Sequence, residues 1–195
     1  MILLVVGLVL FLGVHSVRIV ADGWRTRTIA ARGAGAWKGL YSLVSIGGFA
    51  LIVVGFGRAR LETVALWSPP RWTHDLAGLL VLVAFVLVAA AYVPGNAIKA
   101  RTKDPMILGV KTWALAHLLA NGTLADVVLF GSFLAWAVFD FRAARRRRAA
   151  GSETPATTPT SGARTAVTVV AGLAAWAVFA FWLHRALIGV QPFAY

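Results

Sequence analysis

The chain has 195 residues, of which 59% are hydrophobic, with a mean hydropathy of +0.79 and a formal net charge of +12, and this balance excludes an ordinary soluble domain in favour of an integral membrane protein. The basic residues lie in short segments between apolar runs rather than on one recognition face, so the charge argues for anionic lipid headgroups and against a nucleic-acid partner. Cysteine is absent, which excludes disulfides, thiolate-ligated or covalently attached haem and iron–sulfur clusters, and leaves nitrogen and oxygen to hold any metal or cofactor.

Six apolar runs follow one another, about Ile2 to Val20, Trp37 to Phe56, Trp72 to Val93, Met106 to Ala120, Leu124 to Phe141 and Thr165 to Ile188. In lipid each segment must satisfy its own backbone, and the runs lack the strict alternation of a membrane β-barrel, so the expected fold is an all-α polytopic bundle of about six transmembrane helices. The first run has no basic residues before it and reads as a retained helix rather than a cleavable signal. Gly47, Gly48 and Gly55 in the second are expected to let helices approach closely. Pro105 suits the first turn of the fourth helix, and Asn121-Gly122-Thr123 joins it to the fifth in a tight hairpin, with Thr123 as cap. At 1.5 Å per residue the fourth helix reaches only about 24 Å, so the hairpin tip is expected below the outer surface of a core roughly 30 Å thick.

Orientation follows from the nineteen Lys and Arg residues. Fifteen fall on one side, around Arg18 to Lys38, Lys99 to Lys111 and Arg142 to Arg164, leaving Arg58, Arg60, Arg71 and Arg185 on the other. The positive-inside rule therefore places both termini on the non-cytoplasmic side. The chain divides into a five-span unit (1–142), a basic, flexible cytoplasmic linker (143–164) rich in Ser, Thr, Pro and Gly, and a C-terminal transmembrane helix (165–195) expected as a loosely coupled addition. Arg145 to Arg148 read as a topological anchor beside a span.

Two of the four histidines stand inside apolar runs, His15 in the first and His117 in the fourth, and ionisable groups in spans are functional candidates. On a helix Gly109, Trp113, Ala116, His117 and Ala120 form one stripe, small residues around one aromatic and one imidazole, suited to the flat face of a macrocycle, with close helix packing as the alternative. His15 shares a face with Arg18, whose guanidinium can bind a carboxylate bidentately or serve as a boundary anchor, with Asp22 as a partner four residues on. His74 and His184 lie near span ends, where interfacial histidines are ordinary, and no zinc-type spacing occurs. Nucleophile elbows, Walker loops and dinucleotide fingerprints are missing, and seven acidic residues give little scope for carboxylate-pair hydrolysis. A pair of membrane imidazoles suits haem iron.

The blocks Gly13-Val14-His15-Ser16-Val17-Arg18 and Pro105-Met-Ile-Leu-Gly109-Val-Lys111-Thr-Trp113-Ala-Leu-Ala-His117-Leu-Leu-Ala-Asn121-Gly122 resemble the NnrU family, whose relatives include the 15-cis-zeta-carotene isomerase. The resemblance extends over about residues 1 to 142. It implies a non-covalently bound haem b with His15 and His117 as axial ligands to the iron, and an association with nitrite and nitric oxide reduction. Two positions depart from the isomerase: Asp104 stands where it has a histidine and Ala114 where it has a cysteine, which removes any thiolate exchange.

Three functions follow as expectations. The first is a haem b protein of the bacterial inner membrane, accessory to redox or nitrogen-oxide metabolism, with Arg18, aided by Lys111, holding a haem carboxylate and Trp113 and Gly109 bordering the macrocycle. The second is a haem-dependent cis–trans isomerase of a carotenoid-like polyene. The third is a membrane scaffold with packed histidines. The expected partners are lipid, haem and an apolar substrate or membrane redox protein.

Overall fold

A computed structural model describes residues 1–62, 64–151 and 159–193. The described residues are helical apart from loops and one isolated bridge between Ala65 and Thr123. The helices are α1 (Ile2–Val20), α2 (Asp22–Arg32), α3 (Ala34–Ala59), α4 (Arg71–Tyr92), α5 (Ala97–Thr102), α6 (Pro105–Ala120), α7 (Leu124–Ala149) and α8 (Gly162–Val178), the last continuing through a π-helical turn (Phe179–Leu183) into α9 (His184–Ile188). Helices α1, α3, α4, α7 and the continuous α8–α9 are long and apolar enough to cross a membrane. The fourth apolar run, α6, has only 16 residues and is held between α4 and α7. Side by side the helices run α3, α1, α7, α6, α4, α8.

Small residues make this packing possible. Hydrocarbon gives helices no hydrophobic reason to associate, so attraction comes from close van der Waals contact. At the α1–α3 crossing a Cβ on Gly7 would lie 2.6 Å from the Ile52 nitrogen, one on Gly48 2.8 Å from the Phe11 nitrogen, and one on Gly55 would collide with the Leu4 backbone. Gly48 and Gly55 thus act as expected, whereas Gly47 faces open space. Alanines 84, 90, 114, 116, 125, 137 and 144 are buried between helices, while Leu43, Ile46, Leu79 and Trp182 are exposed on the outside, where lipid would cover them.

The loops define two faces. On one, the backbone of 64–67 covers the tip of the α6–α7 hairpin: Leu66 N–H donates to the Gly122 carbonyl at 2.7 Å and Leu124 N–H to the Val64 carbonyl at 2.9 Å. Any side chain at Gly122 would strike Trp67. The expected cap is present, Thr123 and Asp126 forming a reciprocal capping box at the start of α7. The start of α1 lies here against Gly55, and Arg60 donates to the Ile188 carbonyl at 3.0 Å, so both ends of the described chain share this terminal face.

The opposite, basic face carries α2, α5 and the arginine-rich end of α7. Asp104 at the start of α6 pairs with Arg148 of α7, and Asp22 with Arg25 at 3.0 Å. Two features differ from the sequence expectation. The stretch 143–149 continues α7 and Gly162 already belongs to α8, because an Ala/Arg-rich segment favours helix, so the connection between helices is shorter than 143–164; within it, 152–158 lie outside the described residues. The last helix, far from loosely coupled, is docked: a Cβ on Gly172 would lie 2.6 Å from Val86 of α4, and Ala97 N–H donates to Thr165 Oγ1 at 3.0 Å.

Candidate functional site

Helix α6 starts with Pro105 in its first turn, where a missing N–H costs nothing, and ends at Asn121, whose amide donates to the His117 carbonyl at 2.9 Å. His117 therefore sits within a turn of the terminal face. Its Nδ1 lies 2.8 Å from the Trp113 carbonyl. A carbonyl only accepts, so Nδ1 carries the hydrogen and Nε2 keeps its lone pair. The ring stacks on Phe130 at 4.5 Å and lies 5.1 Å from Trp113, so its orientation is held on both sides. Such an anchored, half-buried imidazole leaves Nε2 as the atom that could bind a ligand.

His117 opens into a cavity of about 970 Å³ between α4, α6, α7 and α8–α9. That volume lies at the upper end of the roughly 300–1,000 Å³ typical of small-molecule and cofactor sites. The walls are apolar and aromatic, with Phe85, Val88, Trp113, Phe130, Phe133, Trp176 and Phe179, and the polar groups gather toward the terminal face. Gly109 lines the cavity too, but its open side also receives α4: a Cβ there would sit 3.0 Å from Val88 and 3.1 Å from the Ala84 carbonyl. Of the expected stripe, Gly109, Trp113, His117 and Ala120 face the cavity, and Ala116 is buried in helix packing.

His15 stands elsewhere. Its Nδ1 is anchored in the same way, 2.6 Å from the Phe11 carbonyl, but its ring is surrounded by Phe11 at 4.3 Å, Tyr41 at 5.1 Å and Trp136 at 6.1 Å, and it does not line the cavity. Phe133 bridges the two regions, touching Phe11 at 5.9 Å and Trp113 at 5.5 Å. On α7, His117 meets Phe130 and His15 meets Trp136, six residues further toward the basic face, which is about 9 Å of depth. Of the two expected histidines, His117 lines the cavity and His15 does not. Arg18 is exposed near the basic end of α1, and Lys111 lies over the Phe141 ring at 5.0 Å; neither lines the cavity.

The cavity instead gathers residues that sequence reasoning assigned to span ends: His74, His184, Arg60 and Arg71. Arg60 is held over Phe56 at 5.6 Å, and its buried Nε–H has no hydrogen-bond partner among the described residues. The signal was available as spacing. Trp176, Ala180, His184 and Ile188 recur every four residues, as do Gly109, Trp113 and His117. Among the described residues no three His, Asp or Glu side chains converge as a metal-binding group, so a bare ion has no protein cage here; a haem iron, already held by its macrocycle, needs only axial nitrogen.

No curated protein and no solved structure matches the chain. A family model described as NnrU protein matches residues 3–192, reaching well past the first five spans and through the last helix that walls the cavity. With membrane-crossing helices and nearly its whole length matched, the chain belongs to the NnrU family.

Proposed function

We propose that this NnrU-family membrane protein binds haem b in the cavity, with His117 as an iron ligand, and serves redox or nitrogen-oxide metabolism as an accessory protein of the bacterial inner membrane. The observation that carries this reading is the anchored His117 imidazole, presenting Nε2 to a large aromatic cavity with arginines at its rim. Bound there, haem would supply a one-electron iron centre able to bind small nitrogen oxides. The chain's own contribution is to hold the imidazole in one tautomer, surround the macrocycle with aromatic rings and place Arg60 and Arg71 where carboxylates need cations.

The test is the spectrum of the full chain purified in mild detergent from haem-replete cells. A b-type spectrum with extractable haem is expected, and His117→Ala should abolish or convert it. A colourless, well-folded protein that takes up no added haem would favour a scaffold. The long apolar walls also support the second reading, isomerisation of a polyene beside the haem. Conversion of a 15-cis polyene by the haem-loaded protein would establish that activity.

A further inference from the structure

The chain does not leave the bundle where α9 ends. Gly189, at φ +79°, takes the left-handed conformation that stops a helix, and the residues after it double back toward the membrane interior. The Phe193 ring comes within 5.8 Å of Phe181 and 6.1 Å of Trp176. Phe181 precedes the end of α9 by seven residues, about 10 Å of depth. On the other wall a Cβ on Gly78 would lie 2.7 Å from the same ring, and Gly78 stands seven residues after the start of α4, at the matching depth. Deeper in the bundle α4 and α8–α9 meet directly: a Cβ on Gly172 would lie 2.6 Å from Val86, and Phe85 and Phe179 are 5.7 Å apart. Over Gly78, among the described residues, the space is filled by Phe193 instead.

We propose that the seam between α4 and α8–α9 is a lateral portal by which a lipid-soluble molecule enters the cavity from the bilayer, and that residues 189–193 are the strap that closes it. Non-helical backbone at membrane depth is tolerated only where its polar groups are satisfied and it is buried in protein or lines a cavity. This strap meets both conditions. His184 Nδ1 donates to the Val190 carbonyl at 2.7 Å, Arg60 donates to the Ile188 carbonyl at the root of the strap, and Pro192 has no N–H to satisfy. Val190, Gln191, Pro192 and Phe193 all line the cavity. The strap is held by these few contacts rather than by a helical ladder, so it can lift while the helices stay packed at Gly172. An apolar molecule passing the seam would then reach the aromatic walls with its polar end toward Arg60, Arg71 and His74. The portal concerns access and does not depend on haem being the occupant.

Because the chain has no cysteine, a single introduced thiol reports on the cavity. Ala180, 6% exposed, lines the cavity, and Ala144, 2% exposed, lies outside it and serves as the control. The full chain carrying Ala180→Cys or Ala144→Cys is placed in phosphatidylcholine vesicles without haem and treated with N-cyclohexylmaleimide, whose labelling rate follows the population of the open form. Adding Phe193→Ala, which removes both ring contacts and the filling over Gly78, should speed labelling at position 180 about tenfold or more and leave position 144 unchanged. Gly189→Val, strained by the left-handed backbone but with open space around its Cβ, should act in the same direction and keeps the test meaningful if the first variant folds poorly. Phe193→Leu should stay near wild type. Labelling at position 180 that neither Phe193→Ala nor Gly189→Val accelerates, or that rises together with position 144, would overturn the portal. Failure of the protein to bind haem would overturn the function proposed above and leave this result standing.

Discussion

Replacing Arg60 by Gln separates what the cavity rim does for the fold from what it does for a ligand. Among the described residues the guanidinium makes two contacts: Nη2 donates to the Ile188 carbonyl at 3.0 Å, and the group lies over Phe56 at 5.6 Å. A hydrogen bond of this kind contributes about 0.5–1.5 kcal/mol and a partly exposed cation–π contact about 0.5–1 kcal/mol, so the unliganded variant should lose about 1–2.5 kcal/mol. Its Nε–H, buried and unpartnered among the described residues, is the group that the proposed haem reading assigns to a carboxylate. A charge-assisted contact of about 1.5–3 kcal/mol corresponds to about 10- to 150-fold in haem affinity. Thermal unfolding of the unliganded protein reads the first quantity and a haem titration at matched concentration the second. Arg60→Lys should fall between, keeping the charge but losing the planar fork. Arg18→Gln is the comparison, since that side chain is exposed at the other end of the bundle and outside the cavity. Unchanged affinity in Arg60→Gln, or a larger loss in Arg18→Gln, would refute the assignment of the carboxylates to the terminal face and return them to the basic end of α1.

Two further outcomes follow from packing and charge. Gly55→Val should drive α1 away from α3, because its Cβ would occupy the Leu4 backbone, and should lower the unfolding temperature by an amount equivalent to about 1–3 kcal/mol or more; Gly47→Val, facing open space, should change it little. Reporter fusions after Gly151 should be active only in the cytoplasm and fusions after Tyr195 only outside, and finding both on one side would contradict a membrane-crossing α8–α9.

The amino-acid sequence determined the solvent, the helical class and the helix signals, because these depend on local quantities. Apolar length decides what can cross a bilayer, Pro105 and Thr123 mark helix starts wherever they occur, and the glycines in Trp37 to Phe56 announce close contact with some neighbour. It also singled out His117 with Trp113 and Gly109, since one helix face carries all three at four-residue spacing. What no local pattern specifies is which helix lies beside which and at what depth. His15 and His117 look equivalent as histidines in apolar runs, yet α1 enters from the terminal face and α6 leaves toward it, so their positions along the chain convert into different levels. His184 and Arg60 look like ordinary boundary residues until α8 docks on α4 and the end of α3 meets α9, which turns a span-end arginine into part of a cavity rim. The tertiary structure decided those juxtapositions because helix order in the membrane is set by the mutual fit of small and large side chains across interfaces, a property of pairs of segments that neither segment carries alone.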